Sequence, residues 1–403
     1  MSNAFSAFKL SDKVYWVGAI DWGLRNFHGY RTSRGSTYNA FLVLGEKVTL
    51  IDTVKPKFYD EMMSRIRTVI DPAEIKYIIS NHSEMDHSGA IPLVVKDWNI
   101  EKVFASPKGV EALNEHFELG DDILETVKTG DTLDIGGATF SFIETRMLHW
   151  PDSMFAFYAE EGILFSNDAF GMHLATAEKY IDEVDPWIVR YEAAKYYANI
   201  LLHLSPIVLN LLKKLPSYNL DIKMIAPDHG PIFRRPQDIQ QILNWYQEWA
   251  EQKPTQKAVV IYDTMWESTA RMASAVADGL IAGGAKVELM PLEGAHRSDV
   301  VTELLDAGAL LVGSPTMNNQ IYPTVADVMN YIKGLKPKNL VGGSFGSHGW
   351  SGEATKHLDA MMEEIKIELV KPGIIHKYVP TKDALMACRE LGLAVAAKLK
   401  SVG

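Results

Sequence analysis

The sequence predicts two domains of different fold class. The first is an α+β domain with an αββα sandwich, and the second is an α/β domain built on a doubly wound parallel sheet. Three observations lead to this prediction. Short strand-like segments and a few helical ones fill the first 250 residues, regular strand–helix alternation runs through 258–403, and a polar stretch with a proline lies between them. We therefore expect domains at 1–250 and 258–403, joined by a linker at 251–257.

Apolar periodicity predicts the individual elements of both domains. In the first domain we expect strands at 14–18, 37–43, 48–52, 77–80, 102–106, 139–143, 163–166 and 224–227, with helices at 57–70, from about 88, at 108–117 and at 186–215. In the second domain we expect strands at 258–263, 286–290, 309–314, 340–345 and 367–370, with helices between them. Such a parallel sheet binds ligands beyond the carboxyl ends of its strands.

The composition is that of an ordinary globular protein and excludes several functional classes. The chain has 403 residues, of which 47% are hydrophobic and 23% charged, and its formal net charge is −11. The absence of a basic block argues against a nucleic-acid partner, and no apolar run is long enough to cross a membrane. No signal peptide is visible at the N-terminus, so a cytoplasmic location is the default expectation.

The single cysteine, Cys388, restricts the cofactors that this sequence can hold. A disulfide within the chain needs two thiols, and cysteine-ligated zinc or iron–sulfur centres need several. We expect Cys388 to be a small core residue in a helix at 384–400.

The densest group of potential metal ligands lies in the loop 82–87, between a predicted strand and a helix expected to begin near Ser88. Unpaired polar side chains clustered this closely are costly to bury, which favours a metal site. A histidine such as His149 or His229 is by itself more often structural than a ligand, but the loop reverses that preference for the set. The candidate ligands are His82, Glu84, Asp86, His87, His149, Asp168 and His229. They suffice for two metal ions with one bridging carboxylate.

Three loops of the second domain, at 262–269, 313–319 and 346–352, follow predicted strands at one edge of the sheet. The first is rich in hydroxyl side chains and precedes a helix, which suits a phosphate group, although a Ser or Thr there is usually only a helix cap. The other two contain small residues that allow the backbone to approach a flat ring, and Trp350 could pack against it. No dinucleotide or Walker motif is present, and three such loops at one edge of the sheet favour FMN.

The sequence resembles a known protein family. The ordered motifs His-x-Glu-x-Asp-His, His-Trp-Pro-Asp-Ser-Met, Ser-Asn-Asp and Asp-His-Gly are similar to those of the flavodiiron proteins, which join a metallo-β-lactamase-like domain to a flavodoxin-like domain. The resemblance runs from Trp16 to the last helix. Hydrolases of this fold usually have histidine where Glu84 stands, and a carboxylate there suits iron better than zinc.

The resemblance implies roles for particular residues. His82, Glu84 and His149 would hold one iron, Asp86, His87 and His229 the other, and Asp168 would bridge them, although family members differ in whether the histidine at His87 reaches the metal. The first loop would hold the FMN phosphate, and the other two would hold the isoalloxazine. The implied FMN residues are Thr264, Met265, Trp266, Ser268, Thr269, Ser314, Pro315, Thr316, Asn319, Ser347, Gly349 and Trp350.

The functional hypothesis is an oxidoreductase in which FMN passes electrons from an external donor to a diiron centre that reduces dioxygen to water, nitric oxide to nitrous oxide, or both. His28, His173 and Tyr197 are candidate pocket residues, and Asp152 and Asp228 could orient ligand histidines. The resemblance also implies a head-to-tail homodimer or a homotetramer. Because the sequence lacks the paired cysteines of a rubredoxin centre, we expect a separate donor, such as rubredoxin or a reduced cofactor.

Two alternatives remain open at this stage. One is a dizinc hydrolase with an appended flavodoxin domain, which Glu84 argues against. The other is an electron carrier with an inactive metal loop, which the intact set of seven ligands argues against.

Overall fold

The computed structural model describes residues 4–120 and 122–402, and the chain divides into two compact units. The first unit comprises Met1–His28, Thr32–Tyr196 and Pro206–Gln247, and the second comprises Gly29–Arg31, Tyr197–Ser205 and Glu248–Gly403. Besides residues 248–250, two short segments from the first 250 residues therefore belong to the second unit. The domain limits expected from the sequence are contiguous, and they remain a prediction.

Sixteen strands and seven α-helices lie in the described part of the first 251 residues. The strands are β1 (Phe8–Lys9), β2 (Val14–Trp16), β3 (Ala19–Asp21), β4 (Asn26–Phe27), β5 (Tyr30–Arg31), β6 (Ser36–Tyr38), β7 (Phe41–Val43), β8 (Val48–Ile51), β9 (Ile75–Ser80), β10 (Lys102–Ala105), β11 (Leu124–Thr126), β12 (Thr132–Asp134), β13 (Thr139–Glu144), β14 (Met154–Tyr158), β15 (Ile163–Phe165) and β16 (Met224–Ala226). The helices are α1 (Tyr59–Ile66), α2 (Met85–Ser88), α3 (Ile91–Asp97), α4 (Pro107–Phe117), α5 (Pro186–Tyr196), α6 (Ser205–Lys214) and α7 (Pro236–Glu251).

Two facing sheets form the core of the first unit. One has the order β1-β2-β7-β8-β9-β10-β11 and the other β12-β13-β14-β15-β16. Side chains alternate across a strand, so Ile51 and Ile79 pack in the core shared with the second sheet. Their neighbours Leu50 and Ile78 pack on the opposite face with α1, α3 and α4. Behind the second sheet, Phe155 contacts Phe170, and the ring of Phe170 lies against α7. The predicted αββα sandwich is confirmed.

The segment 37–43, predicted as one strand, is two strands in different sheets. β6 pairs with β3, whereas β7 pairs with β2 and β8. Asn39 lies between them, and its amide group donates to the carbonyl oxygens of Pro227 (2.7 Å) and Gly230 (2.9 Å). It also accepts from Trp16 Nε1 at 2.8 Å. These side-chain bonds replace the ladder of a continuous strand and tie β6 to the loop that contains His229.

The helical stretch predicted at 186–215 is interrupted. α5 ends at Tyr196 and is followed by a π-helical turn (Tyr197–Leu201) and a 3₁₀ turn (Leu202–Leu204) before α6 begins. Likewise, the helix predicted at 57–70 is a 3₁₀ turn followed by α1, which ends at Ile66.

The second unit is built on a parallel sheet. Its elements are β17 (Lys257–Tyr262), β18 (Lys286–Pro291), β19 (Ala309–Gly313), β20 (Thr316–Met317), β21 (Gln320–Ile321), β22 (Val341–His348), β23 (Glu368–Leu369), β24 (Ile374–Lys377), α8 (Ser268–Ala282), α9 (Arg297–Leu304), α10 (Pro323–Leu335), α11 (Ala354–Glu364) and α12 (Lys382–Val402). The sheet has the order β18-β17-β19-β22-β23, and β24 pairs with the carboxyl end of β22.

Helices cover both faces of this sheet, as predicted for a doubly wound fold. Val260 and Leu311 pack with α8 and α12 in one core, which also contains the fully buried Cys388. On the other face, α9 packs against β17 and α10. Among the described residues, no helix combines the length and apolarity needed to cross a bilayer.

Candidate metal centre and cofactor-binding loops

The loop that follows β9 carries the first four candidate ligands and is partly helical. The predicted helix start near Ser88 is wrong, because α2 already begins at Met85 and contains Asp86 and His87. The turn is closed by the carbonyl of Glu84, which accepts from the N–H groups of His87 and Ser88 at 2.9 Å each. The Ser88 hydroxyl also donates to the Ser83 carbonyl at 2.6 Å.

Four candidate ligands converge in a first cluster. His82 Nε2 lies 3.4 Å from Glu84 Oε2 and 3.3 Å from Asp168 Oδ2. His149, in the turn between β13 and β14, places Nε2 at 3.2 Å from Glu84 Oε2 and 2.9 Å from Asp168 Oδ2. Two imidazoles and two carboxylates therefore face a common point.

The remaining three ligands form a second cluster. His229, just beyond β16, places Nε2 at 3.4 Å from Asp86 Oδ2 and 3.2 Å from His87 Nε2. His87 Nε2 lies 3.5 Å from the same Asp86 oxygen. Both imidazoles are 3.3 Å from Asp168 Oδ1, the oxygen that the first cluster does not use. Asp168 thus offers one oxygen to each cluster.

The spacing of these atoms fits bound metal ions. A metal held at about 2.1 Å from each ligand atom separates neighbouring ligand atoms by about 3.0–3.4 Å. Several of the atoms involved are buried without a hydrogen-bond partner among the described residues, namely His82 Nε2, both carboxylate oxygens of Asp86 and Asp168 Oδ1. Because orphaned buried polar atoms are costly, the residues present fit a pair of cations. Three carboxylates among seven ligands favour iron over zinc.

Carboxylates surround His87 and determine its protonation in the metal-free protein. Burial by itself lowers the pKa of His87, but Asp86, Asp228 and Asp168 outweigh it and raise the pKa to about 10. A metal at this position would have to displace a proton from the ring.

In the first cluster, too, neighbouring carboxylates outweigh the effect of burial on the pKa of each histidine. Burial opposes the charged form of His82, yet Asp152 and Glu84 raise its pKa well above the usual value. Asp168 and Glu84 likewise raise the pKa of His149 against the effect of burial. Burial raises the pKa of a carboxyl, but the neighbouring imidazoles hold that of Glu84 below its usual value. The metal-free site is therefore a network of ion pairs.

The two carboxylates expected to orient ligand histidines differ in their contacts. Asp152 Oδ2 lies 3.0 Å from His82 Nδ1 and accepts from the Ser83 N–H at 2.6 Å, so it fixes that ring. Asp228 Oδ2 lies 3.7 Å from His87 Nδ1, which is too long for a hydrogen bond. Burial and the neighbouring Asp52 raise the pKa of Asp228 well above its usual value.

Two of the three candidate pocket residues lie beside the clusters. The side chain of His28 is 73% exposed, and its Nε2 lies 3.1 Å from Glu84 Oε1. His173 is fully buried, with its ring 4.6 Å from that of His229 and Nδ1 at 2.8 Å from Ser36 Oγ. Burial, followed by the nearby His229, holds the pKa of His173 well below its usual value, so the ring is neutral.

The third candidate is corrected by the structure. Tyr197 belongs to the second unit, where its ring packs on Trp249 and its hydroxyl lies 3.1 Å from Ser205 Oγ. The tyrosine beside the cluster is Tyr196, whose ring lies 5.1 Å from His173 and 6.1 Å from His229. α5 ends at Tyr196 and the π-helical turn begins at Tyr197, so neighbouring tyrosines point into different cores.

Sequence reasoning also missed two residues around the site. Asp52 follows β8 and accepts two 2.8 Å bonds from Asn81, one from its backbone and one from its amide group. The position of Asp52 at the end of a predicted strand could have identified it as a candidate site residue. Lys55 extends over the rings of Phe27 (4.7 Å) and Tyr38 (4.6 Å). Nothing in the sequence distinguishes this lysine from a surface one.

The three predicted FMN loops lie at one edge of the second sheet. Tyr262 is in register with Gly313, and Gly313 with Phe345, so β17 and β19 end at the same level, and β22 continues from there to His348. A 3.1 Å hydrogen bond between the hydroxyls of Thr269 and Ser347 joins the first loop to the third. Ser268 begins α8, a helix of 15 residues without an acidic residue in its first turn, which suits an anion.

The second and third loops are open to solvent at their tips. Asn318 and Asn319 both have positive φ and form the two-residue turn between β20 and β21. The Ser314 hydroxyl accepts from the Tyr322 N–H at 2.9 Å, which fixes the base of this loop. Trp350 is 85% exposed and Trp266, in the first loop, is 90% exposed. Thr264 Oγ1 is buried without a partner in the described chain. These features fit a ring with a phosphate arm.

The remaining predicted FMN residues occupy these loops as well. Met265 is exposed, Pro315 accepts from the Ser314 hydroxyl, Thr316 Oγ1 accepts from the N–H of Ala354 at 3.3 Å, and Gly349 follows β22. Their contacts with a cofactor remain predictions.

Comparisons with known proteins agree with this architecture. A family model described as "ODP family beta lactamase" matches residues 36–230, and a model described as "Flavodoxin" matches residues 260–392. Both predicted fold types are confirmed.

Full-length relatives are similar to the chain in both halves. A nitric oxide reductase of Moorella thermoacetica is 44% identical over 393 residues, which cover 97% of this chain and 98% of the relative. A rubredoxin-oxygen oxidoreductase of Megalodesulfovibrio gigas is 42% identical, with 98% of each chain covered.

Two solved structures superpose closely on the chain. The rubredoxin oxygen:oxidoreductase from Desulfovibrio gigas has a TM-score of 0.96 at 42% identity, covering 98% of this chain and 99% of the other. The flavodiiron protein from Giardia intestinalis has a TM-score of 0.93 at 32% identity, covering 98% and 97%.

Proposed function

Because this chain belongs to the flavodiiron protein family and is an oxidoreductase, we propose that it reduces dioxygen to water, nitric oxide to nitrous oxide, or both. Two iron ions would be held by the two clusters, and FMN by the three loops of the second unit. When bound, the cofactors supply electron transfer and the reduction of the gas.

A single observation carries the proposal: Asp168 directs one carboxylate oxygen into each cluster. Asp168 would hold both metal ions, so that the pair could act together on one small molecule. Glu84 belongs to the first cluster and makes its ligand set anionic. Together with family membership, this set argues against the dizinc hydrolase and against a carrier with an inactive metal loop.

The residues around the clusters would position ligands and move protons. Asp152 holds His82 through Nδ1, and the Thr37 carbonyl holds His229 through Nδ1 at 2.6 Å, so both rings present Nε2 to the metal. Both gas reductions consume protons. His28 Nε2 lies beside Glu84 Oε1, and the rest of its side chain faces solvent, so it can pass a proton from water to the first cluster.

Phe27, His173 and Tyr196 pack on one side of the two clusters. These rings would keep water away from the clusters and favour small apolar molecules. His173 is neutral and buried, and it packs with Phe27 at 5.0 Å and with Tyr196. On this side, the groups packed directly against the His229 ring are therefore neutral.

We further propose that electrons arrive from a separate donor, either a rubredoxin, as the name of one relative indicates, or a reduced cofactor. We also propose a head-to-tail homodimer or a homotetramer. Light scattering on the eluting protein measures this state directly, and a monomer would contradict it.

The test is gas consumption by the purified, reduced protein. The protein is supplied anaerobically with a steady reductant, and the loss of dioxygen and of nitric oxide is followed in separate runs, alongside the iron and FMN content. We expect two iron ions and one FMN per chain, with turnover of at least one gas. A protein loaded with both cofactors that consumes neither gas would contradict the proposal.

A further inference from the structure

Tyr378 is a solvent-exposed aromatic residue held in the left-handed region of backbone space. Its φ is +60°, and 62% of the residue is exposed. This region favours glycine and asparagine and is costly for a bulky side chain. Backbone strain of this kind persists only where the surrounding structure requires it, and it is typical of ligand-holding segments. An exposed ring with no core to fill therefore needs another explanation.

The backbone of Tyr378 is attached to the start of the third FMN loop. β24 pairs in parallel with β22 as far as Lys377 and His348. Tyr378 continues this pairing, since its N–H donates to the His348 carbonyl at 2.7 Å. The chain turns after β24, and this corner is held by a contact of 3.1 Å between His376 Nε2 and the Val379 carbonyl oxygen. Tyr378 is thus fixed to the residue that immediately precedes Gly349 and Trp350.

The ring of Tyr378 lies alongside that loop. A Cβ atom built on Gly349 would be 3.6 Å from Tyr378 Cε1, an ordinary contact distance. Lys377 Nζ lies 5.3 Å from the centre of the same ring, which places a cation there. The left-handed turn at Tyr378 therefore directs the aromatic ring towards the Gly349 side of the loop.

We propose that Tyr378 is a positioning residue of the FMN site, whose ring supports the Gly349–Trp350 turn that the third loop offers to the isoalloxazine. This inference rests on the FMN site of the proposed function. It adds the corner after β24 to the three loops as a further part of the site. The cost of the left-handed backbone is then explained, because another backbone conformation would direct the ring elsewhere.

Because the backbone of Tyr378 is strained, its effect on FMN binding can be separated from its effect on the free energy of unfolding. Tyr378→Asn removes the ring and places at this φ a residue that tolerates it. The free energy of unfolding of the FMN-free protein should then stay constant or increase, whereas FMN binding should weaken. A residue with a purely structural role would not give these opposite changes.

The experiment compares three variants with the wild-type full chain. FMN is removed, and its rebinding is followed by the quenching of flavin fluorescence and by the visible circular dichroism of the bound flavin. We expect Tyr378→Asn to raise the dissociation constant of FMN about 5- to 10-fold. Tyr378→Phe keeps the ring and should stay within about twofold of the wild type. Val379→Ala alters the exposed neighbouring residue and should also stay within about twofold.

Three results would overturn the inference. They are wild-type FMN affinity in Tyr378→Asn, an equal loss in Val379→Ala, and a Tyr378→Asn variant whose FMN-free form is also destabilised, since the ring would then serve the fold. A wild-type chain that binds no FMN would instead contradict the proposed function itself.

Discussion

The candidate metal centre lies in the first unit, and the edge of the second sheet carries the three predicted FMN loops. These two sites, the metal centre and the FMN edge, differ in physical character. Six of the seven candidate metal ligands are buried, and carboxylates and imidazoles of opposite charge face each other within the two clusters. The FMN loops instead expose Trp266 and Trp350 and are joined by few side-chain bonds, such as the one between Thr269 and Ser347. A buried charged site depends on every member, because the loss of one leaves another charge unpaired. An exposed site made of loops tolerates single changes.

The largest expected effect is that of Asp168→Ala, because Asp168 serves both clusters. We expect the iron content to fall below about one ion per chain and gas reduction to fall by at least about 100-fold, while FMN binding is unchanged. Metal analysis and flavin absorbance measure the two cofactors separately. Asp221→Ala, which removes an exposed carboxylate near Lys223, is the control. Full iron content in Asp168→Ala would show that the two sites do not share this ligand.

An intermediate effect is expected from pH, and only at the metal centre. The pKa of His87 is raised to about 10 and that of His82 well above its usual value, both by neighbouring carboxylates that outweigh burial, so these two rings are protonated at pH 7 without metal. Binding should release about two or more protons per chain, and iron(II) affinity should increase with pH. Calorimetry in buffers of different ionisation enthalpy counts the protons. Affinity that is constant from pH 6 to 8 would contradict the ion-pair network.

The same shift predicts the stability of the metal-free protein. The folded pKa of His87 lies above its ordinary value of 6.5, so protonation favours the folded state. This contribution is complete below about pH 6.5 and is lost as the pH rises through about 10. Denaturant unfolding of the metal-free chain across this range should show the decrease, and iron loading should abolish it.

A smaller effect than that of Asp168→Ala is expected from Trp350→Ala in the third predicted FMN loop. Removing one exposed ring should weaken FMN binding about 10-fold and slow electron entry, with no change in iron content. Trp187→Ala, which removes an exposed tryptophan of the first unit, is the matched control. Loss of iron in Trp350→Ala would mean that the two sites are not independent.

The metal centre could be predicted further from the sequence than the FMN edge could. The stretch 82–87 places four candidate ligands in one turn, and unpaired polar side chains clustered this closely are costly to bury. The other three candidates, His149, Asp168 and His229, each lie in a loop that follows a strand. The FMN loops carry residues that also serve ordinary turns, and Tyr378 carried no signal at all. Its φ and its place beside Gly349 depend on the pairing of β24 with β22.

Two errors in the prediction have a common cause. Tyr196 and Tyr197 are adjacent, and only the change from α-helix to π-helical turn decides which ring reaches His173. The split of 37–43 into β6 and β7 depends on hydrogen bonds from Asn39 to a loop almost 190 residues away. Both outcomes are set by partners distant in the sequence, which local periodicity does not encode.

The sequence by itself determined the types of the candidate ligands, the order of the two folds and the edge of the sheet at which a cofactor is predicted. These follow from periodicity and from the cost of burying charges, which are local properties of the chain. Only the tertiary structure decided that the two oxygens of Asp168 face different clusters, that Asp152 holds its histidine more closely than Asp228 does, and that Tyr378 lies beside the third loop. The distance from carboxylate to imidazole is 3.0 Å for Asp152 and 3.7 Å for Asp228, and a difference this small depends on how whole sheets pack.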